Sequence, residues 1–231
     1  MLLRKGAICT SVYAKDVKGL ESCIEQAFRF GSDLVEVRVD LLNGIRLEEL
    51  HKVLAKHRER LILTCRPIQE RGGFDGPEEE RLKILLGLSA IGPGFLDVEL
   101  SLARKHPKQL RDFAKNGSSL LISWHDFERT PSSSALREKV NQALNFGDIA
   151  KVVPTATKLR DNLNVLSLYK NKQRKNVVAF CMGERGIVSR LLCTLLGSPF
   201  TYASLPGQPA AEGQPSVEEL RSLLDVIRME S

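Results

Sequence analysis

Short apolar runs alternate eight times with longer amphipathic segments along this chain, and this alternation constrains the fold more than any other feature. A short apolar run bounded by turn residues is typical of a strand buried on both faces, whereas an amphipathic segment is typical of a helix that packs on one side. Strands that alternate with helices predict βαβ units and a parallel sheet. Eight such units in 231 residues fit a single-domain (β/α)8 TIM barrel, with an open doubly wound sheet as the alternative.

The same pattern gives approximate bounds for each element. The predicted strands are 6–12, 33–39, 61–65, 94–100, 118–124, 149–153, 176–181 and 199–203. The predicted helices are 16–30, 47–57, 77–90, 101–115, 132–145, 157–172, 184–196 and 216–229. Neither a linker nor a low-complexity segment interrupts the alternation, so one domain is predicted over residues 1–231.

The charge distribution argues against a nucleic-acid-binding protein. The chain carries 34 basic and 28 acidic residues, so its net charge of +6 is modest, and the charges are scattered. The densest basic run, at 170–175, has no interleaved aromatic residues and is interpreted as a solvated helix end. A mild positive excess instead favours an anionic small-molecule substrate.

Cysteine usage and hydropathy indicate the compartment. The five cysteines are an odd number without CxxC spacing, and four of them lie in apolar runs or helical patterns. Free thiols of this kind predict a reducing, cytoplasmic location. The N-terminus has too short an apolar stretch for a signal peptide, and no apolar run reaches the length of about 18 residues that predicts a membrane span.

One lysine lies inside the sixth apolar run. Lys151 is the centre of Ile-Ala-Lys-Val-Val, residues 149–153, directly after a Gly-Asp turn. A lysine is almost never fully buried without a partner, and burial disfavours the charged form of the amine. A desolvated amine is a nucleophile that can form a Schiff base with a carbonyl. The alternative is an edge-strand lysine whose ammonium extends to water.

Polar and charged residues collect at the C-terminal ends of the predicted strands, where the active site of a (β/α)8 barrel lies. These positions hold Ser11, Glu36, Arg38, Asp40, Arg66, Glu70, Asp97, Glu99, His125, Asp126, Met182, Gly183 and Arg190. Glu36, Arg38 and Asp40 have the period of two that places side chains on one strand face. Charges on an inward face must pair with each other or bind a ligand, so an ion-pair network and a binding role both stay open.

His125 adds a candidate for proton transfer. A lone histidine is most often structural, but its place at a strand end, with a turn and Asp126 following, favours general acid–base chemistry. No spacing resembles a zinc site, and neither a GxxxxGK[ST] nor a GxGxxG loop is present, so no metal or cofactor is predicted. Together these residue types indicate imine chemistry on a ketone: the lysine forms the imine, the histidine removes the adjacent proton and the arginines hold a carboxylate.

Six segments, in order along nearly the whole chain, form a specific set. They are Glu36-Val-Arg-Val-Asp40, Thr64-Cys-Arg-Pro67 with Glu70, Ser123-Trp-His-Asp-Phe127 with Thr130-Pro131, Asp148-Ile-Ala-Lys-Val-Val153, Met182-Gly183 with Ser189-Arg190, and Glu212-Gly-Gln-Pro-Ser-Val217. With them the chain resembles the type I 3-dehydroquinate dehydratases of the shikimate pathway. The resemblance implies a (β/α)8 barrel that dehydrates 3-dehydroquinate to 3-dehydroshikimate without a cofactor, often as a homodimer. It makes Lys151 the Schiff-base lysine and His125 the proton-transfer residue, with Glu70 assisting the histidine.

The resemblance also implies substrate contacts, which are Ser11, Glu36, Arg38, Arg66, Met182 and Arg190. The family's late loop usually reads Ser-x-Pro-Gly-Gln, and two stretches compete for that role here. Ser204-Leu-Pro-Gly-Gln208 has the spacing, whereas Gln214 has the right distance before the last helix but lacks the serine. Gln214 is the preferred substrate-binding glutamine, because the distance to that helix fixes the loop. Residues 206–209 are then expected to bulge into solvent.

Two other functions compete with this prediction. A class I aldolase-type barrel would also carry a lysine on its sixth strand, but the arginines and His125 suit a carboxylate-bearing substrate and an elimination. A non-enzymatic basic binding protein, for instance for nucleic acid, would need a stacking platform that the sequence lacks. Addition of 3-dehydroquinate distinguishes the three, because only dehydration creates a conjugated, ultraviolet-absorbing product.

Overall fold

The computed structural model describes residues 6–170, 176–208 and 213–229. Its eight strands pair in parallel in the order β7-β6-β5-β4-β3-β2-β1-β8 and form a nearly closed barrel with alternating helices. The strands are β1 (Ala7–Val12), β2 (Leu34–Arg38), β3 (Leu61–Thr64), β4 (Phe95–Glu99), β5 (Ser119–Asp126), β6 (Ile149–Pro154), β7 (Val177–Ala179) and β8 (Phe200–Ser204). The predicted (β/α)8 fold is confirmed.

The α-helices follow the strands and supply the outer layer. They are α1 (Val17–Arg29), α2 (Leu47–Leu54), α3 (Glu78–Ala90), α4 (Leu100–Lys105), α5 (Pro107–Ala114), α6 (Ser133–Leu144), α7 (Asp161–Leu166), α8 (Ile187–Leu196) and α9 (Val217–Met229). Strand residues alternate between this layer and the barrel interior. In β2, for example, Val35 and Val37 belong to the main apolar core, whereas Glu36 between them contacts Lys151 inside the barrel.

Four inward side chains from the even-numbered strands meet at one level of the interior. Lys151 of β6 lies 2.9 Å from Glu36 of β2 and 3.2 Å from Asp97 of β4, measured from its Nζ to the carboxylate oxygens. The same Nζ is 4.2 Å from the ring centroid of Tyr202 on β8. Barrels of this class fill their interior with layers of four side chains from alternate strands. In this chain one such layer is ionic.

The seam of the barrel lies between β7 and β8. Seven strand pairs are hydrogen-bonded, and within the described residues no ladder joins β7 to β8. Arg190 of α8 spans this gap: its guanidinium carbon lies 4.3 Å from the ring centroid of Phe180, and its Nη1 donates to the carbonyl oxygen of Tyr202 at 3.1 Å. The Phe180 and Tyr202 rings are 5.8 Å apart. Side-chain contacts therefore join the two strands here.

Two predicted helices are shorter than the sequence pattern indicated. The helix expected at 101–115 is broken at His106, because Pro107 disfavours a helical backbone in the residue before it and starts α5. The helix expected from Thr157 begins only at Asp161. The Asp161 carboxylate accepts the backbone N–H groups of Thr157 and Lys158, each at 2.9 Å, and holds these residues in a turn that precedes the helix.

The fifth strand is longer than predicted. It was expected to end at Trp124 but continues to Asp126, so that His125 pairs with Val153 and Asp126 with Pro154. The backbone of His125 is therefore held by pairing with β6, whereas the pairing of β5 with β4 ends at Ser123. This geometry fixes the position of the imidazole more firmly than a loop would.

Some predictions fall outside the described residues. These are the end, at Lys172, of the helix predicted from Thr157, most of the basic run at 170–175, Pro209 of the late loop, and Glu212. Of the helices in the described ranges, none is long and apolar enough to cross a membrane.

Candidate active site

A cavity of about 310 Å³ opens at the C-terminal ends of the strands. It is lined by all ten residues that were assigned a catalytic or substrate-binding role from the sequence: Ser11, Glu36, Arg38, Arg66, Glu70, His125, Lys151, Met182, Arg190 and Gln214. A larger depression at the opposite end of the barrel, around Phe95, Ser119 and Ile149, includes none of them. The chemistry-bearing side chains are thus gathered at one end, where parallel strands in this fold end together.

Lys151 is buried, with its side chain 6% exposed, and is not an edge-strand residue. β6 pairs with β5 on one side and β7 on the other, so the alternative of an edge lysine that extends to water is wrong. Although it is shielded from water, the amine has charged partners. Its contacts with Glu36 and Asp97 are two ion pairs that compensate for the loss of water.

The two carboxylates around Lys151 are themselves held by hydroxyl and guanidinium donors. Glu36 accepts a hydrogen bond of 2.6 Å from the Ser11 hydroxyl. Asp97 accepts bonds of 2.7 Å from the Ser123 hydroxyl and 2.8 Å from Arg66 Nη2. Burial alone would raise the pKa of Glu36 and of Asp97, but the nearby positive charges, Lys151 for Glu36 and Arg66 with Lys151 for Asp97, keep both pKa values below their ordinary range.

His125 forms a second cluster with Glu70 and Arg66. The Nδ1 of His125 lies 3.5 Å from a Glu70 oxygen and 3.5 Å from Arg66 Nη1, and Arg66 Nη1 also pairs with Glu70 at 3.2 Å. Burial, followed by the charge of Arg66, lowers the pKa of His125 to about 4. The imidazole is therefore neutral near neutral pH and able to accept a proton.

Glu70 is held in its charged form. Burial would raise the pKa of this carboxyl, but its hydrogen bond to His125 and the charge of Arg66 lower the pKa overall. Its other oxygen accepts a bond of 3.1 Å from the Ser101 hydroxyl. Because Glu70 is oriented from both ends, it can fix the orientation of the His125 ring.

The three predicted arginines differ in their partners. Arg38 forms a two-point pair with Asp40, with N–O distances of 3.0 and 2.6 Å, and Arg66 is paired with Asp97 and Glu70. Arg190 is buried, and among the described residues no carboxylate lies within ion-pair distance of its guanidinium. Burial lowers the pKa of Arg190 to about 10. A buried guanidinium of this kind has the charge and the donors to bind an anion.

Asp40 does not share the strand face of Glu36 and Arg38, as the spacing had predicted. β2 ends at Arg38, and Asp40 lies in the short 3₁₀ turn that follows. Its carboxylate also accepts the backbone N–H of Gly73 at 3.0 Å, so it ties the loop after β3 to the end of β2. Of the two roles that the sequence left open, an ion-pair network and ligand binding, Asp40 therefore has the first.

The late loop places one of the two candidate glutamines at the cavity. Gln214 lines the cavity and donates from Nε2 to the carbonyl oxygen of Ala203 at 2.8 Å. Gln208 is exposed in the turn after β8, where its backbone N–H bonds to the Leu205 carbonyl. Ser204 is buried and donates to the Pro215 carbonyl at 3.2 Å, away from the cavity lining.

Comparison with known proteins identifies the family. The family model for type I 3-dehydroquinase matches residues 8–231. The chain belongs to the type I 3-dehydroquinase family. It is 38% identical over 203 residues to a 3-dehydroquinate dehydratase of Dehalococcoides mccartyi, a match that covers 87% of this chain and 89% of the relative. It is 42% identical over 194 residues to one of Thermococcus gammatolerans, with 84% and 87% covered.

Solved structures of dehydroquinase family members have the same fold. A 3-dehydroquinate dehydratase crystal structure from Geobacillus kaustophilus has a TM-score of 0.89 at 25% identity, and the match covers 99% of this chain and 93% of that chain. One from Aquifex aeolicus has a TM-score of 0.80 at 28% identity, with 94% and 96% covered. The resemblance and the enzyme class, a hydro-lyase, are thus confirmed.

This dehydroquinase family member has further residues in contact with Lys151 and His125 that were given no role from the sequence. Asp97 was noted at a strand end but given no role, although its Oδ2 lies 3.2 Å from Lys151 Nζ. Tyr202 and Phe127 were not noted at all. Tyr202 contacts Lys151, and the Phe127 ring stacks on His125 with centroids 5.7 Å apart. A period-two reading of the eighth strand could have found Tyr202.

The burial of neutral His125 predicts a specific pH dependence of stability. Its folded pKa of about 4 lies below the ordinary value of 6.5, so the unfolded chain binds the proton first as pH falls. The contribution of the neutral, buried imidazole to the free energy of unfolding is fully present above pH 6.5, and it is lost as the pH falls toward 4. Between about pH 7 and 5, wild type should lose about 2 kcal/mol more unfolding free energy than His125→Gln.

Urea titrations at the two pH values measure this difference. His51→Gln is the matched control, since His51 is an exposed residue of α2, and it should retain the wild-type dependence. Equal pH dependence in wild type and His125→Gln would show that the imidazole is not held neutral by the fold.

Proposed function

We propose that this chain dehydrates 3-dehydroquinate to 3-dehydroshikimate through an imine on Lys151, with His125 as the proton-transfer residue. The observation that carries the proposal is a buried lysine and a neutral histidine that line one cavity. Arg190 lines the same cavity and has no carboxylate partner among the residues that the structure describes. The relatives named 3-dehydroquinate dehydratase support the substrate. The substrate is a cyclic ketone with a carboxylate and hydroxyl groups, which suits all three side chains.

The first step joins Lys151 to the ketone. The amine nitrogen adds to the carbonyl carbon, and the carbonyl oxygen leaves as water with two protons of the ammonium. The ammonium and the ketone thus give a protonated imine and one water, and charge and protons balance. Glu36 and Asp97, both within hydrogen-bond distance of Nζ, are placed to relay these protons.

The second step eliminates the hydroxyl. His125 takes the proton from the carbon beside the imine, and the resulting enamine expels the hydroxyl from the next carbon. The protonated His125 gives its proton to that hydroxyl, which leaves as water. Glu70 stabilises the transient imidazolium and orients its ring. Water then hydrolyses the conjugated imine and releases the product and Lys151.

The substrate is held by the groups around these two residues. Arg190 takes the carboxylate, because a guanidinium binds a carboxylate through two parallel hydrogen bonds. Ser11, Glu36, Arg38, Arg66 and Gln214 supply hydrogen bonds to the hydroxyl groups, and Met182 supplies an apolar contact. A homodimer and a cytoplasmic location stay predictions.

Trapping of the imine tests the proposal directly. Borohydride added with 3-dehydroquinate should inactivate the protein and label the peptide that contains Lys151, because reduction makes the carbon–nitrogen bond permanent. Lys151→Ala should remain unlabelled and inactive while its thermal unfolding shows that it is folded. The matched control is Lys158→Ala, which removes an exposed lysine seven residues away and should label and turn over as wild type does. Labelling of another lysine would refute the assignment.

Removal of the imidazole should separate imine formation from elimination. His125→Ala should still be labelled by borohydride, because Lys151 remains. Its turnover should fall by at least the ~10²–10⁴ that general acid–base catalysis contributes. Mass mapping and the product absorbance give the two readouts. Wild-type kcat in this variant would mean that His125 is structural.

The position of the late loop predicts unequal roles for its two glutamines. Gln214→Ala should lower kcat/KM roughly three- to a hundredfold, the range expected when one hydrogen bond to a substrate is lost. Gln208→Ala, whose side chain is exposed, should be close to neutral and serves as the control. The reverse pattern in steady-state assays would place Gln208 and Ser204 at the substrate.

A further inference from the structure

We infer that Asp97 is the permanent counter-ion of the protonated imine on Lys151 and is therefore a catalytic residue of this site. The inference rests on the proposed function, since it concerns the charge state of that imine. Asp97 lies on β4, in a barrel layer with Lys151, and its Oδ2 is 3.2 Å from Lys151 Nζ.

The two carboxylates at Lys151 occupy different positions relative to the cavity. Glu36 lines the cavity and so faces the space that the substrate would fill. Asp97 does not line it, and its side chain has no exposure to solvent. A bound substrate can therefore take Glu36 as its own hydrogen-bond acceptor, while Asp97 stays out of reach behind the lysine.

Asp97 is also fixed more rigidly than a carboxylate on a loop. β4 pairs with β3 and β5, so its backbone is held on both sides. Its Oδ1 accepts from Ser123 and from Arg66, which leaves Oδ2 for Lys151. The carboxylate cannot turn away from Nζ without breaking the first two bonds.

Imine formation changes what Nζ needs from its neighbours. The ammonium has three N–H donors, whereas the protonated imine keeps one N–H and the whole positive charge. That charge is what draws electrons from the adjacent carbon and makes its proton removable. In a site shielded from water, a carboxylate near the nitrogen stabilises the charged form strongly. Asp97 thus keeps the imine protonated while His125 acts.

If Asp97 were only structural, its effect would come from its ion pair with Arg66. Glu99 also pairs with Arg66, so a substitution at Glu99 tests this alternative. Glu99 lies two residues along β4, is buried, and contacts Arg66 Nη1 at 3.4 Å and also Arg81. Its ion pairs do not include Lys151. Glu99→Gln removes a carboxylate from Arg66, whereas Asp97→Asn removes one from both Arg66 and Lys151.

The experiment measures imine protonation by its reactivity with cyanoborohydride, which reduces protonated imines selectively. Wild type, Asp97→Asn, Asp97→Ser and Glu99→Gln are mixed with 3-dehydroquinate, and labelling of Lys151 is followed by mass spectrometry between about pH 6 and 9. Two Asp97 variants are used so that the result does not depend on either one folding, and thermal unfolding checks each. Wild type must label at Lys151, since its failure would refute the proposed function itself.

We expect labelling of wild type and Glu99→Gln to vary little over this range. In the folded Asp97 variants, the pH of half-maximal labelling should fall to about pH 8 or below, so that labelling at about pH 9 drops roughly tenfold relative to wild type. kcat should fall with it, and lowering the pH should restore labelling. A wild-type pH profile in the Asp97 variants, or the same shift in Glu99→Gln, would overturn the inference, with the proposed function left intact.

Discussion

The interior of this barrel depends on the burial of one ammonium between two carboxylates. Removing charged groups from water costs several kcal/mol for each ion, and only close, well-oriented partners offset that cost. Asp97 of β4 reaches Lys151 from the adjacent position in the layer, Glu36 of β2 reaches it from across the barrel, and the Tyr202 ring of β8 covers a further side. A shift of one residue in β2, β4 or β6 would turn its charge into the helix layer. The ionic layer therefore specifies strand register as well as chemistry.

Around this layer, charges of both signs are almost fully matched. Arg66 joins the lysine layer to His125 through Asp97 and Glu70, and Arg38 is neutralised by Asp40. Arg190 differs, because its neighbours are an aromatic ring and a backbone carbonyl. A cavity with this balance favours a ligand that brings its own negative charge. The position of Arg190 at the β7–β8 seam also links ligand binding to the least hydrogen-bonded part of the barrel.

Much of the site could be predicted because it follows from the direction of the strands. Parallel strands bring their C-terminal ends to one rim, so Ser11, His125 and Arg190 were expected to meet without knowledge of any distance. The predicted helix bounds were wrong where a single residue interrupts the helical pattern. Pro107 divides a helix that the apolar pattern had drawn as continuous. The Asp161 carboxylate bonds to the backbone of Thr157 and Lys158 and holds them in a turn where a helix was expected.

The sequence by itself determined the barrel, through the alternation of strand and helix patterns, and the family, through six motif segments. It also named ten of the residues that line the cavity, because parallel strands end at one rim. The tertiary structure decided how those residues are charged and paired. Lys151 was expected to be desolvated, but the sequence did not identify its partners, because Glu36 and Asp97 come from positions 115 and 54 residues away. Electrostatic interactions depend on distance in space and on shielding from water, and neither quantity exists until the strands have closed around the lysine.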